Sequence, residues 1–264
     1  MGKRNILLVL SYDGCEFHGF QAQKGDETVQ SVLERALEGI TAEKVKVISS
    51  GRTDAGVHAL CQVVNFTTSS RMKAENFMPA LNSVLPASIR VLHAREVDKE
   101  FHARKSAVRK IYRYIVYNGD ILLPFYRNYV WHLKKPVIDA DFLSRVAGAF
   151  VGEHDFTSFM GSGSSVKNRV RRIERCQVDR VGEFVVFTVQ GSGFLKNMVR
   201  NMVGTLVDVA RGKIEADAIR RIIAARSRKA AGACAPPQGL YLCGVDYGNF
   251  SFSGEIPFFL DFRK

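Results

Sequence analysis

The first apolar stretch of the chain is a continuous run, Ile6 to Leu10, inside Asn5–Tyr12. A short run of this kind, leading into a turn rich in Gly and aromatics at Asp13–Gln23, predicts a buried strand. Thr28 then stands where a helix N-cap is expected. Val29, Val32, Leu33, Ala36, Leu37 and Ile40 follow at helical spacing, so this helix lays one face on a sheet. Val45–Ser50 and Leu60–Thr67 read as strands on either side of Gly51–Ala59. Lys73–Val84 reads as a second helix with Phe77, Met78 and Leu81 inward, interrupted by Pro79. Ile89–Val97 is a further strand.

A polar, basic stretch, Phe101–Ala107, separates this half from the next. Period-two alternation returns in Val108–Asn118, which puts Val108, Lys110, Tyr112, Tyr114 and Val116 on one face and Arg109, Ile111, Arg113, Ile115 and Tyr117 on the other. Phe142, Leu143, Val146 and Phe150 describe a helix, and Gly152–Ser165 a loop. Val170–Arg180 and Glu183–Val189 form a hairpin across Val181-Gly182. A long helix is expected over Phe194–Arg211, with Leu195, Met198, Val199, Met202, Val203 and Leu206 inward, then a helix over Glu215–Arg226 and a closing strand, Leu240–Tyr247. Strands interrupted by helices in both parts predict an α+β fold of sheet and helix layers. Its expected halves are 1–104 and 105–264. A strand, a Gly-aromatic turn and an amphipathic helix occur in each, at Leu7–Ile40 and at Glu183–Arg211.

Composition narrows the class. Hydrophobic residues make up 46%, enough for a substantial core. Lys and Arg total 38 against 26 Asp and Glu, a net charge of +12, which suits a polyanionic partner. The basic residues cluster at Arg104, Lys105, Arg109, Lys110 and Arg113; at Lys167, Arg169, Arg171, Arg172 and Arg175; and at Arg220, Arg221, Arg226, Arg228 and Lys229, the last also readable as the solvated side of a helix. The five cysteines have no CxxC spacing and are odd in number, which points to free thiols in a reducing, cytoplasmic compartment. No run reaches the length of a membrane span, and Met1–Leu10 lacks a signal-peptide pattern. Neither GxxxxGK[ST] nor a dinucleotide fingerprint occurs, so no nucleotide cofactor is expected. His58, His93, His102 and His154 lack metal-ligand spacing, so no metal is expected either.

The candidate chemistry sits in Gly51-Arg52-Thr53-Asp54-Ala55-Gly56-Val57-His58-Ala59. Two glycines bracket an arginine and an aspartate, so a tight loop can present both side chains. The arginine can hold the carboxylate ionised or grip phosphate. The plainer reading is a turn between strands with a surface ion pair.

This string resembles the catalytic loop of the tRNA pseudouridine synthase A family over nine contiguous residues. Further segments lie in the family's order: Tyr12-Asp13-Gly14 with Gly19–Gln23, Arg109–Tyr114, His154–Phe159, Phe194–Asn201 and Ala235–Leu242. Phe20 stands where the family usually has tryptophan, and Lys196-Asn197 where a histidine pair is common. The resemblance implies two similar halves around a central basic cleft. It implies isomerisation of uridine to pseudouridine at positions 38, 39 and 40 of the tRNA anticodon stem-loop, by a homodimer. It makes Asp54 the catalytic carboxylate and Tyr112 the tyrosine stacked on the target uracil. It also makes Arg200 the ion-pair partner of Asp54, Arg52 an RNA contact and Leu240 the residue beneath the uracil.

That reaction breaks the bond from uracil N1 to ribose C1′ and joins C5 in its place. No atom is lost, and neither a redox cofactor nor nucleotide energy is needed. It requires one carboxylate near C1′, whereas ordinary glycoside hydrolysis usually takes two with room for water. The residues leave open whether Asp54 attacks C1′, attacks the base or removes a ribose proton. By pattern alone Tyr112 is also readable as a core tyrosine. Lys196 and Arg200, four apart in the expected helix, are also readable as a solvated basic face. A noncatalytic RNA-binding protein and a nucleoside N-glycosidase are the alternatives that keep the basic surface or the carboxylate.

Overall fold

The computed structural model describes residues 2–164 and 166–255; Met1, Ser165 and the 256–264 end of the expected second half lie outside the described residues. The chain divides into two compact units, one running up to Val108 and resumed at Leu242–Glu255, the other Arg109–Tyr241.

The first unit holds β1 (Arg4–Tyr12), α1 (Val29–Thr41), β2 (Ile48–Ser49), β3 (His58–Thr68), α2 (Phe77–Val84) and β4 (Ile89–Val97). β1 lies between β3 and β4 and pairs antiparallel with both, which is why Ile6–Leu10 is one unbroken apolar run: both faces of this strand are covered. Thr28 caps α1 reciprocally with Ser31, each side chain accepting the other's backbone N–H. α2 packs on β4. Pro79 falls in the first turn of α2, where its missing N–H has no intrahelical acceptor to lose, so it interrupts nothing. The expected strand Val45–Ser50 shrinks to the two residues of β2. Val47 N–H donates to Glu34 Oε1 of α1 at 2.9 Å, so its backbone is tied to a helix side chain instead of a neighbouring strand.

The polar stretch after β4 is held down by buried amides. Asn5 Nδ2 donates to the carbonyls of Asp98 and Phe101, and Asn65 Oδ1 accepts from Ala103 N–H.

The second unit contains β5 (Arg109–Tyr117), β6 (Trp131–His132), α3 (Ala140–Ala147), β7 (Gly152–Asp155), β8 (Val170–Val181), β9 (Phe184–Gly191), α4 (Met198–Ala210) and α5 (Ala218–Ala225). Its strand order is β5-β9-β8-β7, with β6 beside β5. β8 and β9 form the expected hairpin, closed at Gly182, whose φ is +60°. β10 (Leu240–Asp246) follows; its residues from Leu242 on belong to the first unit, where β11 (Ser251–Ser253) pairs with it.

Two expectations change here. Gly152–Asp155, read as loop, is an edge strand on β8, formed by a pairing distant in sequence that four polar residues do not announce. The long helix starts at Met198, not Phe194. Asn197 adopts φ +58°, a left-handed conformation that asparagine tolerates, and so ends the preceding turn. Lys196 therefore lies outside the helix and shares no helical face with Arg200. Its Nζ reaches Ser162 O, and its carbonyl accepts from Gly161 N–H.

Candidate active site

The loop between β2 and β3 is held at several points by groups beneath it. Ser50 N–H donates to Val63 O at 2.7 Å, Gln62 Nε2 to Gly51 O at 2.8 Å, and Phe20 N–H to Thr53 O at 3.1 Å. Thr53 Oγ1 lies 2.8 Å from Tyr12 Oη, and Val57 N–H closes a turn onto Asp54 O at 3.1 Å. Gly56 supplies the positive φ, +74°, that the turn requires. Thr53, Val57 and His58 are buried, Asp54 is half-buried and Arg52 is exposed. The buried side chains anchor the loop, and Arg52 stands at its exposed side.

The anchors come from the end of β1, from the turn after it and from β3. Gly14 and Gly19 approach the loop too closely for side chains: a Cβ on Gly14 would lie 2.1 Å from Val57 O, and one on Gly19 2.8 Å from Thr53 O. Phe20, in place of the family's tryptophan, is buried beside the Tyr12 ring with centroids 6.3 Å apart. Burial pushes the Tyr12 hydroxyl up to about 12, so it serves as a neutral hydrogen-bonding group. Asp13, Cys15 and His58 come within ligand distance of one another, a grouping that their spacing did not suggest. Their chemistry is that of a hydrogen-bonded turn. His58 Nδ1 accepts from Gly14 N–H at 3.1 Å, Asp13 Oδ1 accepts from Cys15 N–H, and burial followed by the Asp13 charge pushes the Cys15 thiol up to about 12, far from a thiolate ligand.

In the second unit, Tyr112 stands on β5 opposite Val189 of β9, 7% exposed, its ring edge-on to Phe194 at 5.0 Å. On the same face of β5, Tyr114 is fully buried and donates to Pro236 O at 2.7 Å. Arg200, in the first turn of α4, is bound to the segment before β10. Its Nε donates to Ala235 O at 2.8 Å, and its carbonyl accepts from Ala235 N–H. The guanidinium also lies close enough to Tyr114 to oppose, in part, the upward push that burial gives that hydroxyl. Leu240 begins β10 and is buried. Arg52 and Asp54 thus share one loop of the first unit, and Tyr112, Arg200 and Leu240 belong to the second.

The third basic group is largely engaged: Arg221 pairs with Glu215 and Asp217, Arg226 with Asp155, and Arg228 donates to Asn201. Only Arg220 and Arg221 of this group stand on α5; Arg226 caps its end in a left-handed conformation, and Arg228 and Lys229 lie beyond it, so the group is not one side of a helix. Sequence reasoning missed Tyr12, Thr53, Gln62 and Ser50 as supports of the loop. The available signal was Gln62, a polar residue inside the apolar run of β3.

Residues 8–104 and 146–248 match the family model described as tRNA pseudouridine synthase. The chain is 47% identical to the tRNA pseudouridine synthase A of Acetivibrio thermocellus over 244 residues, covering 92% of this chain and 100% of the relative. It is 46% identical to the enzyme of the same name from Bacillus pumilus over 246 residues, covering 92% and 99%. Among solved structures, a chain of a Cbf5-Nop10-Gar1 complex overlaps 76% of this chain and 44% of its own length at 15% identity, with a TM-score of 0.37.

Proposed function

Because the chain belongs to the tRNA pseudouridine synthase family, in which uridine of tRNA is isomerised to pseudouridine, we propose that its targets are uridines 38, 39 and 40 of the anticodon stem-loop and that Asp54 is the reacting carboxylate. The observation that carries the assignment is the half-buried Asp54 in a loop held on either side of it, through Gly51 and Thr53 and through the Val57 N–H. A single carboxylate held in this way suits detachment of uracil from C1′ and its reattachment through C5, without water as acceptor.

The other roles follow the resemblance: Arg52 to phosphate, Tyr112 against the uracil with a part in removing the C5 proton, Leu240 beneath the base, and Arg200 as the cation that orients the carboxylate. Exposure of Arg52 supports the first, and the aromatic surroundings of Tyr112 support the second. Uridines in a stem-loop are paired or stacked, so the target base must leave its stack before it reacts. Recognition through phosphates and RNA shape fits a net charge of +12 and targets in differing sequence contexts.

The active form is taken to be a homodimer, with 1–104 and 105–264 as its functional halves. Five free cysteines fit a reducing cytoplasm, and among the described residues no helix is long and apolar enough to cross a membrane.

The test is nucleoside analysis and position mapping of unmodified tRNA after incubation with the purified protein alone. Pseudouridine at 38–40 with no free uracil is expected. Free uracil would indicate an N-glycosidase, and binding without any change in nucleosides an RNA-binding protein.

A further inference from the structure

Beneath the Asp54 loop lies a chain of buried polar groups that reaches no solvent. Tyr12 is 4% exposed, Thr53 7%, and Ser50 and Gln62 0%. Buried polar groups are costly unless satisfied, so a closed network here needs a reason. The orientation of Gln62 is fixed by its partners. Gly51 O can only accept, so Nε2 must face it, at 2.8 Å; Oε1 then faces Ser50 Oγ, which donates at 2.6 Å. Nε2 also points at Tyr12 Oη at 3.4 Å, and Tyr12 Oη shares a hydrogen bond with Thr53 Oγ1 at 2.8 Å. The network therefore holds the carbonyl of Gly51 and the side chain of Thr53, and Thr53 directly precedes Asp54. Phe20 N–H on Thr53 O and Val57 N–H on Asp54 O complete the clamp. The backbone on both sides of Asp54 is thereby fixed by groups that come from β1, its following turn and β3.

We propose that Tyr12 and Gln62 are positioning residues that, through Thr53 and Gly51, set the point from which Asp54 reaches the ribose and so set the rate of isomerisation without touching RNA. This rests on the assignment of Asp54 as the reacting carboxylate. It predicts a loss in the chemical step alone, because phosphate contacts elsewhere carry tRNA affinity.

The test compares Tyr12→Phe, Gln62→Met, Thr53→Val, Thr53→Ser and the double variant Tyr12→Phe/Thr53→Val with the unaltered protein. Single-turnover formation of pseudouridine on prefolded tRNA is measured beside tRNA affinity at fixed salt and the folded fraction by circular dichroism. Tyr12→Phe, Gln62→Met and Thr53→Val are each expected to slow turnover about 10–100-fold, the scale of a small misplacement of a catalytic group, with affinity and folded fraction retained. Thr53→Ser, which keeps the hydroxyl, is expected to retain most of the rate. The double variant should be no slower than the worse single variant, since both changes break the same Tyr12–Thr53 bond. Full-rate turnover by folded Tyr12→Phe and Gln62→Met overturns the proposal. So do losses that add in the double variant, or losses that only follow the folded fraction. Turnover by Asp54→Asn instead overturns the assignment beneath it and is told apart because that variant leaves the network intact.

Discussion

Replacing Gly14 by alanine should separate catalysis from binding, and the size of the effect can be worked from the geometry. A Cβ at this position would stand 2.1 Å from Val57 O and 2.9 Å from Val57 N. Carbon–oxygen contacts of this kind settle near about 3.3 Å, so the turn and the loop must part by about 1 Å. Val57 N–H closes the turn that begins at Asp54 O, so the displacement passes to the Asp54 backbone and from there to its carboxylate. A misplacement of about 1 Å costs on the order of 10²-fold in rate. The overpacking itself costs about 1–3 kcal/mol, which a domain stable by about 5–15 kcal/mol survives. Gly25→Ala is the control: its φ is +89° but no atom lies within 4 Å of the added methyl, so it carries only a backbone penalty. That penalty is about 1–2 kcal/mol, with no effect on rate. The assay is single-turnover pseudouridine formation at saturating protein, with tRNA affinity and thermal melting measured on the same preparations. Full turnover by folded Gly14→Ala would refute the view that this contact sets the carboxylate. An equal rate loss in Gly25→Ala would refute the specificity of the contact.

Tyr112→Phe should reduce release of tritium from C5-labelled tRNA by about 10²–10⁴-fold if its hydroxyl serves proton removal, and near-normal release would leave the ring as a stacking surface only. Tyr112→Ala also removes a ring packed on Phe194, so it should lose release and lower the melting temperature together. Arg52→Ala should weaken tRNA binding and shrink the slope of log affinity against log salt by about one phosphate's worth, and an unchanged slope would remove Arg52 from the RNA backbone. Light scattering should find a dimer in the free protein and in its tRNA complex, and an active monomer at assay concentration would contradict that.

Much of the architecture was written in short-range pattern. The unbroken Ile6–Leu10 run, the Thr28 cap with its helical stripe, and the Val170–Val189 hairpin each carry their own signal, and each formed near its expected place. What did not show was decided by partners far along the chain. β7 exists because β8 offers an edge to four polar residues. The expected strand before the loop is short because Glu34, thirteen residues earlier than Val47, takes the backbone N–H. The start of α4 depends on one left-handed asparagine, which apolar periodicity cannot register. The site divides in the same way. Asp54 and Arg52 stand in a motif nine residues long, whereas Tyr12, Gln62 and Ser50 support them through side-chain hydrogen bonds between strands. The resemblance gave Tyr112 and Arg200 their roles; periodicity alone described a core tyrosine and a basic helix face. Burial of Tyr112 and the hold of Arg200 on Ala235 show why pattern ran short, since each has a packing role as well.

The central claim is that one carboxylate, Asp54, does the bond breaking while many other groups hold the RNA. It is tested most directly by Asp54→Asn, which keeps the shape of the side chain and removes its charge. Tritium release from C5-labelled, prefolded tRNA should fall to background in a single turnover at saturating protein, with tRNA affinity at fixed salt little changed. Appreciable release by the folded variant would contradict the claim and return this aspartate to the role of a turn residue.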